Sequence, residues 1–190
     1  MLEHERVALS IIAFITGMMG FIESTIAVPA ASTAMAADAL SFVQHSVSAG
    51  FALRAATGFT RHRWTILLQG AVMMVLGALV CLIAARRLVQ GSVPHPLTMI
   101  IMGAIALSAN FSACTILLIS RRQLTGIKSV WRVSRADAVG SISVIAAALV
   151  VVATRSNIPD VVIGGAMAGL FIAQGWRILY TGRADANQLR

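Results

Sequence analysis

Charge is what this chain has least of. Only 12% of its 190 residues are Asp, Glu, Lys or Arg, about half the roughly 25% carried by an ordinary soluble domain. That deficit argues against a water-exposed globule. Lysine is nearly missing, since 14 of the 15 basic residues are arginine, the bias expected of a GC-rich bacterial gene. Cysteine is scarce as well. Cys81 and Cys114 lie alone inside apolar runs, which excludes a disulfide framework and leaves them as small packing residues. The chain has no P-loop pattern, no GxSxG and no HExxH, so nothing in it announces soluble enzyme chemistry and no enzyme is expected. The apolar–polar alternation of barrel strands is also missing, and the apolar runs are too long for strands.

What remains is hydrophobic: 58% of the chain. Six runs, at 7–28, 33–53, 64–85, 97–119, 136–154 and 160–180, each approach the ~20 residues that a bilayer-crossing helix needs. The reading is an all-α membrane protein, a bundle of six transmembrane helices. One domain covers 1–181 and a short tail covers 182–190.

A net charge of +8 would suit nucleic acid, but its distribution points elsewhere. Arg6, Arg54, Arg61, Arg63, Arg121, Arg122, Lys128, Arg132, Arg135, Arg177, Arg183 and Arg190 fall on one side of the six runs. Only Arg86, Arg87 and Arg155 fall on the other. This asymmetry predicts both termini in the cytoplasm, with some attraction to anionic lipid and no nucleic-acid partner. The start, "MLEHER", carries two Glu and one Arg rather than a basic n-region, so the first run reads as a retained span and not as a cleaved signal peptide.

Ionisable groups inside the runs carry the functional signal: Glu23, Asp38, His45 and Asp137, with Asp160 opening the sixth run. An acid in the bilayer interior costs ~2.5–3.5 kcal/mol on insertion scales, so it is expected to face a cavity or a partner. Asp38, Ser41 and His45 fall at i, i+3 and i+7, one stripe of a helix. Carboxylate with neutral imidazole suits zinc, cobalt, nickel or iron(II), and the same groups can pass protons. The competing reading is that these groups bind neighbouring helices by hydrogen bonds alone. Asn110, a lone amide in the fourth run, is expected to do that. Gly165 and Gly169, within "GGAMAG", form a small-xxx-small pair expected to permit close helix approach. Trp64, Trp131 and Trp176 read as interfacial anchors.

In order and spacing these residues resemble the cation diffusion facilitator family over nearly the whole chain. Glu23, Ser32 and Ala37-Asp38-Ala39 are similar to that family's first two helices. Asn110 is similar to an Asn of its fourth helix. "ADAVGSISVIAAALVV" is similar to its fifth-helix pattern "ADxLGSxxVIxAAL", and Asp160 to the Asp that opens its sixth helix. The resemblance implies a six-helix transporter that exports a divalent metal cation (zinc first, with cobalt, cadmium, nickel or iron) in exchange for protons. It also implies a homodimer; the arginine bias, 14 of 15 basic residues, points to a bacterial inner membrane. The metal would be cargo, with no resident cofactor. The family's site uses two four-spaced His/Asp pairs, which fall here on Ser41 and His45 and on Val133 and Asp137. His45 and Asp137 are therefore the expected ligands, Ser41 a poor one, and Val133 none. Asp38 is expected to supplement them or to accept a proton. The family's cytoplasmic C-terminal domain of metallochaperone type is not expected after the sixth run.

A residue count gives a different placement. Asp137 to Arg155 spans ~27 Å of helix and His45 to Arg54 ~13 Å. If both arginines mark membrane edges, Asp137 lies near the cytoplasmic face and His45 near the middle, whereas the family register puts them at one level. Because the ligand set is reduced, the alternative function is a non-transporting relative acting as a membrane scaffold or partner subunit.

Overall fold

The computed structural model describes residues 3–56, 63–119 and 125–187, with side chains over 6–54, 67–116 and 137–180. These residues form six helices: α1 (Glu3–Ala27), α2 (Thr33–Ala56), α3 (Arg63–Gln90), α4 (Pro96–Ile119), α5 (Thr125–Thr154) and α6 (Ile158–Asn187). No strand occurs among the described residues. The helices outrun the apolar stretches of the sequence. α5 starts eleven residues before the fifth run, through "TGIKSVWRVSR", and α6 continues to Asn187, into the expected tail. Hydropathy reports what can sit in lipid, whereas backbone hydrogen bonding continues through polar residues of adequate helix propensity.

Five helices contain a stretch long and apolar enough to cross a membrane: Arg6–Ala27, Leu67–Gln90, Pro96–Ile116, Asp137–Thr154 and Ile158–Tyr180. The chain is a helical, multi-pass membrane protein. α2 falls short of that standard, and its position explains why. It packs against all five other helices, and Asp38, Ser41, Gln44 and His45 are all buried along it. A helix enclosed by protein meets little lipid, so its hydropathy is free to drop. Lipid-type residues line the outer helices instead: Val7, Ile11, Phe14, Met18 and Phe21 on α1 and Leu68, Val72, Val75, Leu79 and Leu82 on α3 are exposed at helical spacing.

Three close pairs, α1 with α2, α3 with α6 and α4 with α5, make up the bundle. Glycines set the spacing of two of them. A Cβ on Gly20 would come within 3.0 Å of the Val43 nitrogen and 3.1 Å of the Ala39 oxygen. One on Gly175 would come within 2.7 Å of the Gly70 oxygen. The expected close-approach pair, Gly165 and Gly169, does not perform that task, because neither has an atom within 4 Å of its added Cβ. The neighbouring stripe does. Gly164 lies against Thr33, with backbone carbon at 2.9 Å, and Ala168 packs with Ala37 and Val80. "GGAMAG" contains a small-xxx-small pair in two registers, and packing against α2 selects the one that starts at Gly164.

The ends of the helices are tied where the α1–α2, α3–α4 and α5–α6 connections meet. Gly91, at φ 65, and Arg155, at φ 51, turn the chain out of α3 and α5 in the left-handed region. Their amides close onto Arg87 O at 3.0 Å and Val151 O at 2.8 Å, satisfying carbonyls that a helix end leaves open. Asn157 Nδ2 donates to Arg87 O at 2.9 Å, and the His95 amide donates to Ala30 O at 2.9 Å. Cys81 and Cys114, on α3 and α4, form no disulfide.

Candidate functional site

α2 begins on a buried acid borrowed from α6. Asp160, 1% exposed, accepts from Ser32 Oγ at 2.6 Å, from the Thr33 amide at 2.6 Å and from the Ala34 amide at 3.1 Å. Ser32 Oγ itself accepts from the Met35 amide at 3.1 Å, in the manner of an N-cap. The first-turn donors that have no partner within the helix are thus satisfied, and a negative group sits at the positive end of the helix dipole. Asp160 is accordingly a structural residue that fixes the register of α2 against α6.

With α2 held there, its polar stripe meets α5. His45 Nδ1 lies 2.7 Å from Asp137 Oδ2, with the His45 side chain at 0% exposure and that of Asp137 at 8%. Further along, Asp38 Oδ2 accepts from Ser141 Oγ at 2.8 Å, and Asn110 Nδ2 on α4 donates to Ser141 Oγ at 3.1 Å. Three helices are joined through one chain, Asn110 to Ser141 to Asp38. Seven residues on α2, ~10 Å, face four residues on α5, ~6 Å, so the two antiparallel axes cross obliquely. Gly140 makes room for the crossing, since a Cβ there would stand 2.9 Å from Asp38 Oδ1.

Of the residues expected at the site, His45 and Asp137 are in direct contact, and they are at one level. The depth count that separated them is overturned. Its error was to take Arg54 and Arg155 as equivalent edges of two parallel rods. Twelve residues separate Thr33 from His45, whereas seventeen separate Asp137 from Thr154. α5 therefore extends beyond or leans across α2 at that end. Asp38 is close by; its Oδ2 accepts from Ser141, and its Oδ1 lies 3.5 Å from Ser41 Oγ. The Ser41 hydroxyl donates to the Asp38 backbone oxygen at 2.8 Å, a bond within its own helix. The side chain of Val133 lies outside the described residues, as do those of Trp64 and Trp131; Trp176 is exposed. Asn110 makes the interhelical bond expected of it.

Ser141 was not singled out from the sequence. Its signal was present: it follows Asp137 by four residues, on the same helical face. Among the described residues no three His, Cys, Asp or Glu side chains are gathered so as to hold a metal ion. Chemically, the arrangement offers one imidazole–carboxylate pair and one hydroxyl-bridged carboxylate, sealed inside a helical bundle. Such a set can hold and exchange protons, or offer one nitrogen and one oxygen lone pair to a cation. No family model matches the chain, and no curated protein matches its sequence.

Proposed function

We propose that this protein is a secondary transporter that exports a divalent metal cation, zinc foremost, in exchange for protons, from a site between α2 and α5. The observation that supports the reading most is the buried His45–Asp137 pair. Nδ1 and Oδ2 at 2.7 Å hold one proton between them. The lone pairs that share that proton are the ones a divalent cation would use, so cation and proton are mutually exclusive occupants. Exchange then follows from the site itself. The remaining coordination comes from water or from Ser41, and Asp38 is a proton acceptor rather than a ligand. In this reading both termini face the cytoplasm of a bacterial cell and the membrane is the inner one.

A specific observation favours a second reading. The pair satisfies itself, and no third His, Cys, Asp or Glu joins it among the described residues, as a scaffold or partner subunit would have it. Calorimetry on the purified protein separates the two. A transporter site gives saturable zinc binding with proton release, read from the dependence of heat on buffer ionisation enthalpy, and both His45→Ala and Asp137→Ala lose it. A scaffold gives no saturable heat, and each variant only loses stability, by about 3–5 kcal/mol for a broken buried pair.

A further inference from the structure

Among the described side chains, Glu23 is the one buried ionisable group that the reading above leaves unused. Its side chain is 0% exposed, and neither Oε1 nor Oε2 has a hydrogen-bond partner. Its position is fixed by close packing. Gly20, one turn earlier on α1, lies against the Ala39 oxygen and the Val43 nitrogen of α2. This brings Glu23 to the level of Asp38.

Each neighbouring element fails to supply a counter-charge. α1 packs against α2 and α4. Within α1 the only cation among the described side chains is Arg6, seventeen residues away and ~25 Å along the helix. α2 presents Asp38, itself an acid, which accepts from Ser141, and beyond it His45, paired with Asp137. α4 contains no acid, no Lys, no Arg and no His; its Asn110 leaves Oδ1 without a donor. Arg87 of α3 is directed to Ser92 Oγ and Val28 O. A carboxylate with neither donor nor cation is not sustained in an apolar interior, so the group that fits this place is the neutral acid.

We propose that Glu23 is a second proton-binding position within the membrane, separate from the His45–Asp137 pair. The ligand is a proton. This stands whether or not the protein carries a cation.

Infrared spectroscopy of the protein in lipid membranes tests it directly. An un-ionised carboxylic acid has a carbonyl stretch well above that of a carboxylate. At about pH 7, where exposed carboxyls with reference values near ~4 are ionised, wild type should show such a band. Glu23→Gln should remove it, and Glu23→Asp should keep it at a shifted frequency. In D2O the band should move down, as an exchangeable O–H requires. No difference between wild type and Glu23→Gln would overturn the assignment, as would a band indifferent to D2O, which marks a locked acid. Retention of the Glu23→Asp band guards against a change caused by misfolding alone.

Discussion

Removing the Asp160 carboxyl should unseat α2 and weaken the whole bundle. Asp160→Ala leaves the Thr33 and Ala34 amides without acceptors, in a place where Asp160 itself is 1% exposed. It also frees the Ser32 hydroxyl, whose oxygen still accepts from Met35. Each orphaned buried donor costs about 1–3 kcal/mol, and two of them give a loss of about 4 kcal/mol. Asp160→Asn keeps one acceptor oxygen but turns an amide toward a donor, so about half that loss is expected. The assay is reversible unfolding in mixed micelles, with helix content as the signal. A loss below about 1 kcal/mol for Asp160→Ala would refute the argument. It would mean that the first turn of α2 finds other acceptors and that Asp160 does not set the register. Equal losses for Ala and Asn would refute the hydrogen-bond accounting while leaving the burial intact.

Adjacent glycines on α6 should behave oppositely. Gly164→Ala places a Cβ 2.6 Å from Thr33 Cγ2 and 2.9 Å from its backbone carbon and should cost about 1–3 kcal/mol as overpacking, whereas Gly165→Ala meets nothing within 4 Å and should be neutral or stabilising by up to ~1 kcal/mol; the same unfolding assay reads both. Cysteines introduced at Ser92 and Gln188 should react with an impermeant thiol reagent applied outside intact cells only at Ser92, as the arginine asymmetry requires, and the opposite pattern would invert the topology. Zinc affinity should fall as pH drops, because cation ligands must be deprotonated and protons compete for the same lone pairs; calorimetry at several pH values would expose a flat profile if His45 and Asp137 are not the ligands.

Much of the architecture was legible because lipid imposes a simple rule: long apolar runs become helices. The rule was weakest at α2, the helix on which function was expected. Asp38, Ser41 and His45 lower its hydropathy below that of the other five, and only its central position makes the polar stripe tolerable. The stripe itself was readable from spacing, whereas the contact between His45 and Asp137 was not readable by counting residues to flanking arginines. Counting failed because helix tilt is set by packing partners and leaves no trace in residue number. Ser141 escaped notice because serine is common in membrane helices. Its role appears only when Asp38 and Asn110 converge on it from two other helices. Glu23 was visible as an acid in an apolar run, but that both its oxygens lack partners is a property of the packed bundle.

The central claim is that a divalent cation and a proton compete for the buried pair formed by His45 and Asp137. Flux through purified protein in proteoliposomes measures this most directly, with zinc, cobalt and cadmium supplied in turn and a pH dye trapped inside. Wild type should give saturable uptake matched by proton efflux. His45→Ala and Asp137→Ala should each fall to the level of empty liposomes, and the double variant should be no worse than either, since residues acting in one site are not additive. Wild-type flux equal to that of empty liposomes for every ion would contradict the claim and leave a helical bundle held together by its buried polar pairs.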